Sequence, residues 1–289
     1  IMKINKSTYY FWITVSAVLI LIITSFTPWA YAGSDLDLTL YTNDQRWLTV
    51  FSSNHILGTD GLGRDMFAVL VVSLRNNIIL GVIAASVSVI LGGTIGVLLG
   101  YTLKEGLLKR SVLIFARLVK SVPLLVWIFL VVFWTELSSL FIPFFDSEII
   151  KMSWIFTILG IIYSFNLALL LMGHIQKLKA SQFIEACEFL GLKKTTIIFT
   201  HIIWHHSKSL FVSQGSYVFV QSVLLEFTLS FHAIGYGFAK TSLSLGSIFN
   251  SSVLEKPMSE HMFLPLVAAL ILTTIFSFLS QSFEKRYQK

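Results

Sequence analysis

Apolar runs of roughly span length alternate along this chain with shorter polar stretches. They fall at about 9–31, 75–101, 112–134, 153–172, 211–231 and 262–281. A helix needs about 20 consecutive, mainly apolar residues to cross the hydrocarbon core of a bilayer. The pattern therefore predicts an all-α integral membrane protein with six spans. The first run follows Lys3 and Lys6, and its length suits a spanning helix better than the shorter core of a signal peptide. It reads as a retained anchor, although Ala30-Tyr31-Ala32 resembles a cleavage site. In the second run Gly92, Gly96 and Gly100 recur on one helix face, the spacing of a close packing seam rather than of a phosphate loop. Arg75 opens that run and is expected to reach toward its outer end. Pro123 removes a backbone hydrogen bond from the third run and predicts a kink. Arg117 and Lys120 precede it, placed to snorkel, to pair or to face a pore. Asn166, in the fourth run, suits a bond to a neighbouring helix.

The polar stretches carry patterns of their own. Between the fourth and fifth runs, Ile184, Cys187, Phe189 and Leu190, then Ile197, Ile198, His201 and Ile202, recur at helical spacing on either side of Gly191. That predicts two short amphipathic helices joined at a glycine, an object suited to another protein's groove. Residues 32–66 form an outer segment ending in His55-Ile56-Leu57-Gly58-Thr59-Asp60-Gly61-Leu62-Gly63-Arg64-Asp65. Its glycines, Asp and Thr suit a tight turn, and Arg64 can pair with Asp60 or Asp65. A rigid outer lid is the favoured reading, with direct substrate contact the other. Residues 238–261 read as a further polar outer segment. Glu226 is the unusual residue of the fifth run: an ionisable group within a span is a functional hypothesis by default. It either lines a pathway or braces the helix by accepting hydrogen bonds, and bracing is favoured.

Composition and charge sharpen this picture. The chain is 55% hydrophobic and 12% charged, against about a quarter charged in soluble domains. The net charge of +6 is not spread evenly. Lys3, Lys6, Lys104, Lys109, Arg110, Lys177, Lys179, Lys193, Lys194, Lys208, Lys285, Arg286 and Lys289 fall in expected inner segments. Asp35, Asp37, Asp44, Asp60, Asp65, Glu136, Asp146 and Glu148 fall in outer ones. Cytoplasmic loops carry the excess of Lys and Arg, so both termini are expected in the cytoplasm and nucleic acid is not an expected partner. The single cysteine, Cys187, leaves no intrachain disulfide. His201 and His205 share a helix face and His206 lies beside them, but no third ligand of fixed spacing accompanies them, so no metal is expected. Neither HExxH, GxSxG nor a Walker-type GxxxxGK occurs, so no enzyme chemistry and no ATP binding are expected of this chain.

Glu185-Ala186-Cys187, Gly191 and His201-Ile202-Ile203 together resemble the EAA loop of ABC importer permeases, the element that docks on the ATPase subunits. Cys187 stands at the third EAA position, and Trp204 and His205 replace the usual proline and asparagine. The stretch from His55 to Asp65 resembles the HxLGTDxLGRD signature of C-type permeases in the oligopeptide/dipeptide/nickel importer family. The surroundings of Glu226, with Gly235 and Gly237, resemble that family's LLEAALSFLGLG run, and Leu245-Gly246 stands where a Trp-Gly pair is usual. The resemblance covers about residues 55–285 and implies a type I ABC importer permease fold. An N-terminal helix and outer segment (1–66) would precede a five-helix core (67–289) with its coupling loop at about 174–210. It further implies half of an ATP-driven import pathway in the bacterial cytoplasmic membrane. Its partners would be a second, paralogous permease, two ATPase subunits holding ATP and Mg, and an extracytoplasmic substrate-binding protein. The chain itself would hold no cofactor. On this reading Glu185 fixes the coupling turn, Ala186 and Cys187 pack close to the ATPase, and Gly191 allows the turn. Peptide is the expected cargo, with nickel or a metal–chelator complex as the alternative. A stand-alone secondary transporter or channel would be expected to show an internal repeat of spans, and none is visible.

Overall fold

A computed structural model of the chain describes residues 6–26, 46–52, 55–103, 106–142, 147–180, 182–232 and 243–287. Its elements are α1 (Lys6–Phe26), α2 (Met66–Val97, followed by a π-wound turn Leu98–Thr102), α3 (Leu107–Ser121), α4 (Leu124–Ser139), α5 (Glu148–Ala180) and α6 (Phe183–Phe189). A first turn, α7 (Lys194–Thr196), then leads through a π-wound stretch, Ile197–Ser207, into α8 (Lys208–Phe231). Two further helices, α9 (Leu245–Glu255) and α10 (Glu260–Tyr287), complete the described chain. Among the described residues four continuous helical stretches are long and apolar enough to cross a membrane: Met66–Thr102, Glu148–Ala180, Lys194–Phe231 and Glu260–Phe283. The expected first span is described as a helix over Lys6–Phe26, packed against α10 and α2. Lys3, Ala30-Tyr31-Ala32, Asp35, Asp37, Asp44, Lys104, Glu105, Asp146, Gly235, Gly237 and Lys289 lie outside the described residues.

The parallel pair α2 and α5 forms the centre of the fold, and glycine sets how closely it packs. A Cβ added at Gly92 would lie 2.6 Å from the Ser164 carbonyl oxygen. At Gly96 it would lie 2.9 Å from Leu171 Cβ, and at Gly100 2.9 Å from Ile175 Cβ. From the other side, a Cβ at Gly160 would meet the Ala84 carbonyl oxygen at 2.6 Å. The expected glycine seam is thus present, and its partner is α5. Helices in lipid gain little from hydrophobic exclusion, so this close backbone contact supplies the packing. Around it, Leu80 and Ala84 of α2, Ile128 and Val132 of α4, Phe156 and Leu159 of α5, and Val218 and Leu225 of α8 share one buried cluster.

The third expected span, 112–134, is not one helix. It divides into α3 and α4, bent by 92° across Val122 and Pro123. A residue before proline is pushed out of the helical region, and Val122 is extended at φ −86°, ψ 129°. The corner is stapled from both sides. Ser121 Oγ donates to the Leu118 carbonyl oxygen at 2.8 Å, and Trp127 Nε1 donates across it to Val119 at 3.1 Å. These bonds occupy carbonyls that a helix end would otherwise leave free.

Other boundaries also move. Helix α2 starts at Met66 rather than near residue 75, because Asp65 caps it by accepting from the Phe67 N–H at 3.3 Å. Arg75 therefore sits inside the helix, half-buried. Helix α5 continues to Ala180, into the loop expected to begin near 174. The outer stretch 238–261 contains α9, opened by a reciprocal capping box between Ser244 and Ser247. Leu245 is buried there, and a Cβ at Gly246 would meet the Phe227 carbonyl oxygen at 2.4 Å, so α9 lies directly on α8.

Gly96→Val should therefore force the seam apart and lower stability by about 1–3 kcal/mol, the usual penalty of overpacking. Gly173→Ala is the control, since nothing lies within 4 Å of a Cβ at that position. Thermal denaturation of the detergent-solubilised protein should show a clear drop for the first and none for the second.

Candidate functional site: a docking knuckle and an outer lid

The predicted two-helix object exists at the basic end of the α2/α5 pair. The backbone of α6 closes in a Schellman arrangement: Gly191 N–H bonds the Glu188 carbonyl (2.9 Å) and Leu192 N–H bonds that of Cys187 (3.2 Å). Gly191 has φ +74°, a left-handed conformation that glycine adopts without strain. The chain then re-enters a helix at Lys194 and runs without interruption into the fifth span, so only the first of the two helices is short.

The sides of α6 divide by helical spacing. Ile184 and Cys187 turn inward, joining Ile197 and Ile202 with Val97, Leu171 and Ile175 of the two central helices. Cys187, expected to pack against a partner, instead packs within the chain, because it lies three residues from Ile184 on the same face. Glu185, Ala186 and Gly191 are exposed, and His201 is half-buried. At the tip, Phe189 and Leu190 are 91% and 79% exposed.

The knuckle is tied to the membrane helices by residues that spacing did not single out. Tyr101, at the end of α2, donates its hydroxyl to Glu188 Oε1 at 3.0 Å. Lys179, at the end of α5, donates to the Tyr101 carbonyl at 3.0 Å and sits 5.0 Å from the centre of its ring. Glu185 lines a cleft of about 260 Å³ with Tyr101, Lys179, Glu188 and Lys194. The turn that Glu185 was expected to fix is closed by main-chain bonds, and the acid tied to the second span is Glu188. The histidines spread around one ring: Phe183 packs edge-on against His201 at 6.0 Å and His206 at 5.0 Å. Among the described residues no group of three or more His, Cys, Asp or Glu side chains is arranged to hold a metal ion.

The outer signature folds into a knot at the opposite end. Asp60 Oδ1 accepts from the Leu62 and Arg64 N–H groups (3.0 and 2.8 Å), and Oδ2 accepts from Arg64 Nε (2.7 Å) and Nη2 (2.6 Å). Arg64 thus pairs with Asp60, while Asp65 caps α2 and lies 3.6 Å from His55. Gly58 and Gly63 take φ +72° and +81°. Gly58 also lets the chain pass so close to Leu48 that a Cβ would lie 2.1 Å from its carbonyl oxygen. Thr59 Oγ1 accepts from the Leu48 N–H at 2.9 Å. The knot is bound to the start of α10: His261 Nε2 donates to Leu48 (2.8 Å), and Glu260 Oε1 accepts from Val50 (3.0 Å). Lys256 Nζ adds a bond to the Trp47 carbonyl at 3.1 Å. Thr59, Asp60 and Arg64 are buried, which suits a rigid lid rather than a contact surface.

Glu226 lies near the lid end of α8 and is only 1% exposed. Ser230 Oγ donates to its Oε1 at 2.5 Å, and the side chains of Asn77 on α2 and Ser244 before α9 face the same carboxylate. Three elements meet on this one acid. Asn250, on α9, donates to the Phe231 carbonyl at the end of α8 and closes the same corner.

The described chain is thus a set of long apolar helices with a compact basic knuckle at one end and a closed polar knot at the other. The family of binding-protein-dependent transport system inner membrane components matches residues 92–289, and the chain belongs to it: it is a permease subunit of an ABC importer. Among similar proteins, the oligopeptide transport system permease protein OppC of Lactococcus lactis subsp. cremoris is 25% identical over 222 residues, covering 74% of this chain and 67% of its own length. OppC of Haemophilus influenzae is 24% identical over 276 residues, 95% of this chain and 81% of its own. A chain of the inward-facing MetNI methionine ABC transporter shares the fold with a TM-score of 0.55 at 15% identity, covering 78% of this chain and 98% of that one.

The lid pair allows a direct comparison. Removing one partner of a buried pair strands the other, at about 3–5 kcal/mol, whereas exposed pairs contribute about 0–1 kcal/mol. Arg64→Ala should therefore destabilise the lid strongly, while Glu136→Ala, which breaks the more exposed pair with Lys151, should do little. Melting temperature and protease cutting within residues 46–65 would measure both.

Proposed function

We propose that this subunit forms half of a translocation pathway for peptides and takes its power stroke from two ATPase subunits that grip the knuckle. The apolar tip carries this reading most directly. Phe189 and Leu190 stand exposed on a turn whose other face is locked into the span ends. An exposed apolar patch on a rigid support marks a protein interaction site. Its polar surround, with Glu185, Glu188, Lys193 and Lys194, suits a groove on a soluble partner rather than lipid.

On this reading the partner subunits bind ATP and Mg, and their closure moves the knuckle as a rigid body. Tyr101, Glu188 and Lys179 pass that motion to the ends of α2 and α5. The lysines at this end support a cytoplasmic position for it and for both termini in a bacterial cell, since cytoplasmic loops carry the excess of Lys and Arg. The lid then faces outward, where a substrate-binding protein would deliver cargo to this chain and a paralogous second permease. Glu226 acts as a brace for α2, α8 and α9. Peptide is the cargo that the OppC relatives favour, since oligopeptide transport is what they are named for.

Two variants test the coupling. In proteoliposomes holding the full transporter, Gly191→Trp should abolish uptake while the chain still inserts and assembles; normal uptake would remove the docking role. Tyr101→Phe deletes one hydrogen bond of about 1 kcal/mol. It should lower the substrate moved per ATP hydrolysed roughly fivefold, with ATP hydrolysis itself retained. An unchanged ratio would show that the bond transmits nothing.

A further inference from the structure

The corner between α3 and α4 has properties that a mere kink would not need. It encloses a cavity of about 290 Å³ lined by Lys120, Ser121, Pro123, Trp127, Tyr163 and Asn166, among others. Small-molecule sites begin at about 300 Å³, so this space holds one terminal residue of a larger cargo. Its depth follows from packing. Tyr163 and Asn166 lie near the middle of the 33-residue α5. Helix α4 runs from there toward the lid end, Ile128 and Val132 packing on Ile155 and Phe156, and reaches the Glu136–Lys151 pair. The broken backbone therefore sits beside the middle of a spanning helix rather than at either of its ends.

Interrupted helices within a span occur where they are buried in protein or line a water-filled cavity. Arg117 and Lys120 add two cations on one face of α3, both exposed in the single chain. Charges within a span are too expensive to face lipid and mark a solute path. Across the cavity, the amide oxygen of Asn166 is buried and has no hydrogen-bond partner. Buried acceptors are almost always paired, so one without a donor calls for an explanation. Behind it, Gln214 Nε2 donates to the Tyr163 carbonyl at 3.2 Å, extending the polar layer into α8. One cation and one acceptor, about a residue's volume apart from bulk water, match the end of a peptide: a carboxylate preceded by an N–H.

We propose that this corner is a subsite on the translocation pathway for the free carboxyl end of the cargo. Lys120 pairs with the carboxylate, and the Asn166 oxygen accepts the adjoining peptide N–H. The assignment rests on the peptide reading for its ligand, but its charge preference can be measured without a peptide.

The test uses the assembled transporter in membrane vesicles with Ser121→Cys at the cavity lip; the native Cys187 is buried, so the unaltered chain is the control. An anionic methanethiosulfonate reagent should label Cys at this position about tenfold faster than a cationic one. Lys120→Gln should erase that preference and Lys120→Arg should keep it. A free-acid tripeptide should slow labelling at least fivefold, and its C-terminal amide should not. Equal rates for the two reagents, a preference that survives Lys120→Gln, or no labelling at all would overturn the subsite. Equal protection by acid and amide would overturn the carboxylate assignment. Charge preference without protection by any peptide would support an anion site and overturn peptide as the cargo.

Discussion

The contact on which the rest of this molecule depends is the near-touching of two backbones along Gly92, Gly96 and Gly100 on α2 and Gly160 on α5. In water a helix pair can be held by apolar exclusion, but in lipid the surroundings are as apolar as the helices. Attraction then comes from dispersion over short distances, and only missing Cβ atoms bring the main chains near enough. The same four positions also fix the register. The three α2 glycines meet Leu167, Leu171 and Ile175 in turn, and Gly160 meets Val87 of α2, so α2 cannot slide by a residue without a clash.

A seam of that rigidity matters because both candidate functional elements hang from its ends. At the basic end, Val97 and Tyr101 of α2 and Leu171, Ile175 and Lys179 of α5 form the socket for the knuckle. At the other end α2 begins inside the lid, capped by Asp65 and braced through the Asp60–Arg64 pair. Close-packed interiors move between discrete arrangements rather than deforming continuously. On the proposed reading, a push on the knuckle must tilt α2 and α5 together and carry the lid with them. The π-wound stretch Ile197–Ser207 joins the knuckle to α8 by a less regular path. Such windings recur at functional sites in helices, and here one separates the knuckle from a span.

How much of this could be read from residues alone depended on the range of the interaction. Four of the six expected spans, the seam and the Gly191 turn were legible, because length, four-residue spacing and a positive φ are local properties. The corner at Pro123 was legible only as a kink. Its signal was present in the change from four cations over 107–121 to none over 124–134, a contrast that separates an amphipathic helix from a lipid-facing one. Helix α9 was hidden by its serines, although Ser244 and Ser247 are a capping box read in order. The Tyr101–Glu188 bond and the grip of His261 on Leu48 were not legible at all. They join positions 87 and 213 residues apart, and no periodicity reports such pairs. The direction of Cys187 lay between these cases: its spacing from Ile184 fixed a shared face, but only packing shows which face is inward.

The exposed surfaces argue that the chain is built to be completed. Phe129, Phe133 and Trp134 cover the outside of α4 with large apolar groups, which lipid or another helix satisfies equally well. The cations of α3 cannot be satisfied in that way. Arg117 and Lys120 stand exposed beside the break at Val122 and Pro123, and hydrocarbon offers neither charge nor hydrogen bonds in return. Water held between this chain and a second permease would offer both. On the proposed reading, the same charges that would make a lone subunit costly in the bilayer would form, in an assembled pair, the wetted wall of the path.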